Sequence, residues 1–410
     1  MPDIETIRKD FPILSQQVYD RPLIYLDNAA TTQMPETVLR RLEEHYRKDN
    51  ANVHRGIHIL SERSTESYEK ARDTVHGFLG GGAGSEVIFT SGTTDSINLA
   101  AFGLAHTLSP GDRVIVSVLE HHANLLPWQR LCAVSGAELL VLPCPDGEPD
   151  LTQYEQWLSE GRVRIVALTQ VSNLTGTVFP LRKMSRPARE AGALFLADGA
   201  QGLRHETAPV EELGCDFYCF SGHKVLGPTG IGVLWGKKEA LELLEPLRLG
   251  GGMVDVVQEQ SYTAAGLPAR LEAGTPNYSG AIALAAALEY LTSLNRKQVS
   301  DREDELLRYA EKQLSGIPGL HILGKPQERA GALSFTLDDV HPFDAASVVD
   351  KFGIALRSGT HCAQPALASF GVSAALRLSP AFYNTFEEID EAVKAIVRTK
   401  EMFQKWTKKS

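Results

Sequence analysis

Seven short apolar runs limit what this chain can fold into. They lie at 87–90, 114–118, 138–142, 163–169, 194–197, 217–220 and 232–235. Each is apolar along most of its length rather than alternating, and helix-compatible segments separate most of them. Strands of that kind are buried on both faces, the mark of a mostly parallel sheet with helices on either side. The expected fold is α/β: one large domain with a seven-stranded, mostly parallel sheet flanked by helices. Ligands are expected at the carboxyl ends of its strands.

The rest of the chain reads as a frame for that domain. Ile4, Ile7 and Phe11 have helical spacing, and Pro12 ends the pattern. Residues 24–26 are a short strand leading into Asp27-Asn28-Ala29-Ala30-Thr31-Thr32, and 36–48 and 61–79 read as helices. An Ala/Leu-rich helix at 279–294 leaves the domain. Beyond it come a helix near 302–315, strands near 320–323 and 331–336, and a helix over 343–351. The last helix opens on Thr385-Phe386-Glu387-Glu388, a capping box in which hydroxyl and carboxylate satisfy first-turn amides. The expected division is an N-terminal segment, 1–20, packing on the small domain; a large domain, 21–290; and a smaller α+β domain, 291–410.

A length of 410 residues fits roughly two or three domains. The net charge of −10, with no long basic run, argues against a nucleic-acid or anionic-membrane partner. No signal pattern opens the chain and no apolar run is long enough to span a bilayer, so a cytoplasmic location is expected. Five cysteines suit a reducing compartment and form neither a disulfide framework nor a zinc spacing. No metal is expected.

Three strand ends carry candidate chemistry. Thr90-Ser91-Gly92-Thr93-Thr94 follows the first run and opens a helix, so amides and hydroxyls converge as a phosphate cradle, although Ser/Thr-rich caps are common. Asp198 directly follows four apolar residues. Buried there, it needs a cationic partner unless it simply caps the next helix. Lys224, in Ser221-Gly222-His223-Lys224, follows another buried run, where a desolvated amine becomes a nucleophile. His121, in Glu120-His121-His122, could stack on a flat ligand. Cradle, carboxylate and amine together suit pyridoxal phosphate, which needs phosphate donors, an anion for its ring nitrogen and an amine for its aldehyde.

With these residues in view, the chain closely resembles the class V aminotransferase superfamily of fold type I. Within it, the chain is similar to the group II cysteine desulfurases. The likeness runs through Tyr25–Ala30, Val53–His58, Gly92-Thr93-Thr94, Glu120–Asn124, Ala197–Gln201, Ser221–Lys224, Glu272–Asn277 and Arg357–Pro365. It implies that Lys224 takes the cofactor's aldehyde, Asp198 pairs with its ring nitrogen and His121 stacks on the ring. Asn173 and Gln201 would meet the ring hydroxyl. Gly92, Thr93, Thr94, Ser221 and His223 would form the phosphate site, and Thr275 would reach the phosphate of a neighbouring subunit in a homodimer. Arg377 would hold the substrate carboxylate, with Asn28, Ala29, His54, Arg55 and Arg357 lining the substrate pocket. The thiol of Cys362, in a Gly-containing loop near Arg357, would take the sulfur of L-cysteine as a persulfide. The other four cysteines read as packing residues in helices or strands.

The short loop around Cys362 implies an acceptor protein that comes to it, SufE-like or SufU-like, serving iron–sulfur cluster assembly. Thr360, Ser91 and Ser379-Pro380 depart from the family pattern and bear on acceptor choice and rate. Rival readings are a selenocysteine lyase acting on L-selenocysteine, another class V reaction such as transamination, and a non-catalytic scaffold on the same fold.

Overall fold

The computed structural model describes residues 3–206 and 208–407. All seven expected strands lie in one sheet: β1 (Ser85–Thr90), β2 (Arg113–Ser117), β3 (Glu138–Leu142), β4 (Val163–Thr169), β5 (Leu194–Asp198), β6 (Phe217–Ser221) and β7 (Gly232–Lys237). Their spatial order is β1-β7-β6-β5-β4-β2-β3. Strands β2 to β6 pair in parallel, and β7 runs antiparallel to both its neighbours. The carboxyl ends of β1 and β2 to β6 therefore share one edge. Gly232 starts β7 at that same edge, paired with both Thr90 and Ser221.

The burial pattern explains the apolar runs. Val114 and Val116 face one core cluster with Trp128 and Ile97, while Ile115 between them faces the other with Tyr68 and Val75. Both faces are covered, so alternation disappears from the sequence.

A second, four-stranded antiparallel sheet forms the smaller layer: β8 (Leu320–Ile322), β9 (Leu333–Leu337), β10 (Arg357–Gly359) and β11 (Ala375–Leu378), in the order β8-β9-β11-β10. Helices Arg296–Ser315, Pro342–Asp350 and Phe386–Thr407 contribute its core. The capping box forms as expected: Glu388 N–H donates to Thr385 Oγ1 at 3.2 Å, and Thr385 N–H to Glu388 Oε2 at 3.1 Å. The helix expected near 302–315 starts earlier, at Arg296, because Asn295 Oδ1 accepts from Gln298 N–H and caps it.

The N-terminal region crosses between layers later than residue 21. Ile24 and Tyr25 pair in parallel with Ile354 and Ala355 of the small layer, a long-range pairing invisible in local pattern. Before it, Arg8 donates to Glu388 Oε1 at 2.7 Å and to the Tyr383 carbonyl at 2.6 Å. The Phe11 ring meets Tyr383 at 4.6 Å and Tyr290, on the large side, at 5.9 Å. Asp27 to Thr32 then leads into the seam between the layers.

Among the described residues no helix is long and apolar enough to cross a membrane. None of their His, Cys, Asp and Glu side chains form a group that could hold a metal ion.

Candidate active site

At the shared strand edge a cavity of about 210 Å³ opens between the two layers. The phosphate-cradle segment occupies one end. Thr93 N–H donates to Ser221 Oγ at 2.8 Å, and the Thr93 and Ser221 hydroxyls lie 2.8 Å apart. This approach depends on glycine. A Cβ on Gly232 would lie 2.4 Å from Gly92 Cα, and Gly92 itself has φ of 152°. Gly92 thus shapes the cradle, while Thr93, Thr94, Ser221 and His223 line it.

Lys224 ends a 3-10 turn, Gly222–Lys224, directly after β6. Its loop is fastened from the N-terminal segment: Thr32 N–H donates to the His223 carbonyl at 2.9 Å, as does Thr31 Oγ1 at 3.1 Å. Thr32 Oγ1 in turn accepts from Leu226 N–H at 2.8 Å. Burial lowers the Lys224 amine to about 8, with Asp198 opposing and Arg377 and Arg357 adding to the fall. An amine of that kind is far more available as a nucleophile than an exposed one.

Asp198 ends β5 and is 3% exposed. Its Oδ1 accepts from Ala200 N–H at 2.9 Å, so it caps a turn; no helix follows it directly. Burial raises its carboxyl, and the nearby Lys224 charge pulls it back. Gln201 donates to the Ala29 carbonyl at 2.7 Å and lines the cavity with Ala29.

His121 precedes a short 3-10 turn, and its Nδ1 accepts from Ala123 N–H at 3.0 Å. Burial, then the charge of Lys224, lowers it to about 3, so the imidazole stays neutral across the physiological range. Glu120 before it is buried and takes three hydrogen bonds, from Ser117 Oγ (2.6 Å), Asn124 Nδ2 (2.7 Å) and Thr169 N–H (3.1 Å). Burial still raises it to about 8. Glu120 locks the turn that presents His121. Its place after a buried run, as with Asp198, was the sequence signal for it.

The small layer supplies the opposite wall. Arg377, 2% exposed on β11, donates to the Asn173 carbonyl at 3.0 Å and to Asp27 Oδ1 at 3.1 Å. Arg357 lies 3.6 Å from Asp27 Oδ2. Asp27 therefore sets both guanidinium groups, a role its motif alone did not reveal. Cys362 is exposed at the cavity, whereas the other four cysteines are buried. Burial raises Cys132 to about 11 and Cys144 and Cys215 to about 12. Cys132 and Cys219 sit in a helix and a strand, but Cys144 and Cys215 sit in segments next to strand ends. His361 and Cys362 both have positive φ, 51° and 52°. Two adjacent non-glycine residues there cost about 1–2 kcal/mol each and must be held by their surroundings.

Four residues expected at the substrate pocket or phosphate site stand elsewhere in the single chain. Asn28 is buried, but its amide is used structurally: it donates to the Ser379 carbonyl at 2.9 Å and accepts from Tyr383 OH. It supports the cavity wall rather than lining it. His54, Arg55 and Thr275 line a separate cleft with Gly251 and Gly274.

The cavity suits pyridoxal phosphate on its own features. Three buried polar atoms at or beside it have no partner: Asn173 Oδ1, His361 Nδ1 and Arg377 Nε. The buried Asp198 carboxylate calls for a cation, and the hydroxyls of Thr93 and Ser221 converge at the end opposite the small layer.

Residues 24–392 match the class-V aminotransferase family. A probable cysteine desulfurase from Halalkalibacterium halodurans is 45% identical over 400 residues, covering 97% of this chain and 98% of the relative. The cysteine desulfurase of Pectobacterium carotovorum is 44% identical over 398 residues, covering 96% and 97%. Among solved structures, the apo cysteine desulfurase from Thermococcus onnurineus superposes with a TM-score of 0.92 at 35% identity, covering 98% and 99% of the two chains. The cysteine desulfurase CsdA (S-sulfonic acid) from Escherichia coli superposes with a TM-score of 0.89 at 40% identity, with the same coverage.

Proposed function

This chain belongs to the class-V aminotransferase family, and from that premise we propose that it is a pyridoxal-phosphate-dependent cysteine desulfurase. The observation that carries the reading is Cys362, an exposed thiol in the same cavity as Lys224, Asp198 and Arg377. A transaminase needs no nucleophilic thiol there, and a scaffold needs none of the four.

In this reading Lys224 takes the cofactor's aldehyde, Asp198 faces the ring nitrogen and neutral His121 stacks on the ring. Thr93, Ser221 and His223 hold the phosphate. The cofactor supplies an electron sink for bond breaking at the substrate's α-carbon. Arg377 orients the L-cysteine carboxylate through a planar fork kept in place by Asp27 and Asn173. Lys224, with an amine near neutrality, moves the α-proton. The Cys362 thiolate attacks the substrate sulfur. The carbon–sulfur bond breaks as the sulfur–sulfur bond forms, so Cys362 becomes a persulfide and the carbon skeleton leaves as alanine with the proton returned. Because Cys362 lies at an exposed position, an acceptor protein of the SufE or SufU kind, delivering sulfur for iron–sulfur clusters, fits the release step. L-Selenocysteine would enter the same cavity by the same chemistry.

A homodimer accompanies this reading. Ile57 is 97% exposed, Leu249 65% and Val257 67%, and Ile57 and Leu249 adjoin segments of the cleft that holds His54, Arg55 and Thr275. Apolar side chains so exposed call for a covering surface. Alanine release from L-cysteine by the holoprotein, with the persulfide located on Cys362 by mass spectrometry, tests the function. Transamination of L-cysteine with no persulfide would refute it.

A further inference from the structure

Asn173 is a junction between three parts of the site. Its Nδ2 donates to the His361 carbonyl at 2.8 Å. Its own carbonyl accepts from Arg377 at 3.0 Å. Its Oδ1 is buried without a partner in a residue that lines the cavity. The His361 carbonyl belongs to the strained pair that presents the thiol, in the loop that follows β10. That loop is also pinned by His361 Nε2 against the Ala375 carbonyl at 2.9 Å, by His122 N–H donating to the Cys362 carbonyl at 2.8 Å, and by Gln364 N–H on His122 Nε2 at 3.3 Å.

We propose that Asn173 is a positioning residue that couples occupancy of the cofactor cavity to the conformation of the Cys362 loop. The proposal rests on the cofactor reading above and goes beyond it. An amide bonded on one edge to the loop, and unpaired on the other in a residue that lines the cavity, is under-restrained until an occupant of the cavity meets it. An occupant that satisfies the free edge fixes the amide plane, and the fixed amide holds the His361 carbonyl. The left-handed pair is then kept in place from the cofactor side as well as by His122. The thiol is presented firmly only when the cavity can use it. By linkage, whatever the occupant gives the loop, the ordered loop returns to the occupant.

The experiment is amide hydrogen exchange of the peptide spanning Gly359–Gln364, in apoprotein and in protein reconstituted with pyridoxal phosphate. Uptake is followed separately by absorbance. In the wild type, reconstitution should slow exchange of this peptide about tenfold, the signature of a locally closed segment. Asn173→Asp keeps the shape and loses the donor; Asn173→Ala loses both edges. Compared at saturating pyridoxal phosphate, with occupancy read by absorbance, both should show less than a twofold slowing. In the apo forms, where no cofactor is needed, both should exchange this peptide faster than the wild type. The proposal is overturned if wild-type reconstitution leaves exchange unaltered, if the variants slow as much as the wild type, or if their apo forms exchange no faster. Failure of the wild type to take up the cofactor would instead overturn the reading on which the proposal stands.

Discussion

Arg377 Nη2 donates to Asp27 Oδ1 at 3.1 Å, joining the last strand of the small layer to the segment that enters the seam between the layers. The guanidinium is thus buried, paired and oriented before any substrate arrives. Its Nε remains without a partner. Arg377→Lys keeps the charge but loses the fork, so the remaining ammonium cannot bond Asp27, the Asn173 carbonyl and a substrate carboxylate together. The expected loss is about 1.5–3 kcal/mol, roughly a ten- to hundredfold fall in kcat/KM for L-cysteine, with KM rising. Steady-state alanine release checks it.

Lys224 is lowered to about 8 by burial. Below that pH the amine is protonated and cannot add to an aldehyde; above it the free amine predominates. The rate at which apoprotein captures pyridoxal phosphate should therefore rise with pH through about 8 and level off above it. An exposed lysine would keep rising toward 10. Stopped-flow absorbance gives the midpoint, and Lys224→Ala should abolish the slow covalent phase at every pH.

Glu272 holds the large domain to the strand of the phosphate cradle. It takes both Arg72 guanidinium nitrogens, at 2.7 and 2.9 Å, the Tyr68 hydroxyl at 2.9 Å and Phe89 N–H at 2.6 Å. Arg72 is 6% exposed, so Glu272→Ala leaves its buried charge with only the half-exposed Glu69, 3.1 Å from its Nε. The expected cost is about 3–5 kcal/mol of stability, measured by chemical denaturation of the apoprotein.

Ile57 tests the proposed dimer. Ile57→Asp adds a charge to a side chain that the single chain leaves in solvent, so it should leave the folded monomer intact. Sedimentation equilibrium should find it shifted to monomer at concentrations where the wild type is dimeric. Cofactor affinity should fall with it, if Thr275 of a second chain completes the phosphate site.

Much of this was legible in the sequence, for identifiable reasons. The seven strands were visible because burial on both faces removes polar residues, and Asp198 and Lys224 stood out as the polar residues that end such runs. Strands β10 and β11 were not visible: Arg357-Ser358-Gly359 and Ala375-Leu376-Arg377-Leu378 are short and carry the site's own arginines, so function overrides strand composition. The hairpin of Val254–Val257 and Tyr262–Ala264 is short and largely exposed, so its valines give no buried run to read. Asp27, Asn28 and Thr32 act through partners hundreds of residues away in the chain, which no local spacing encodes. His54, Arg55 and Thr275 line a separate cleft of the chain, which no local spacing encodes either.

The most direct test of the central claim is mass spectrometry of Cys362 after a single turnover with L-cysteine, beside Cys362→Ser under the same conditions. The account predicts one added sulfur on Cys362 of the wild type with one alanine released. It predicts neither from Cys362→Ser, although that variant keeps its bound cofactor and its absorbance. Undiminished alanine release by Cys362→Ser, or an added sulfur on any of the four buried cysteines instead, would contradict it.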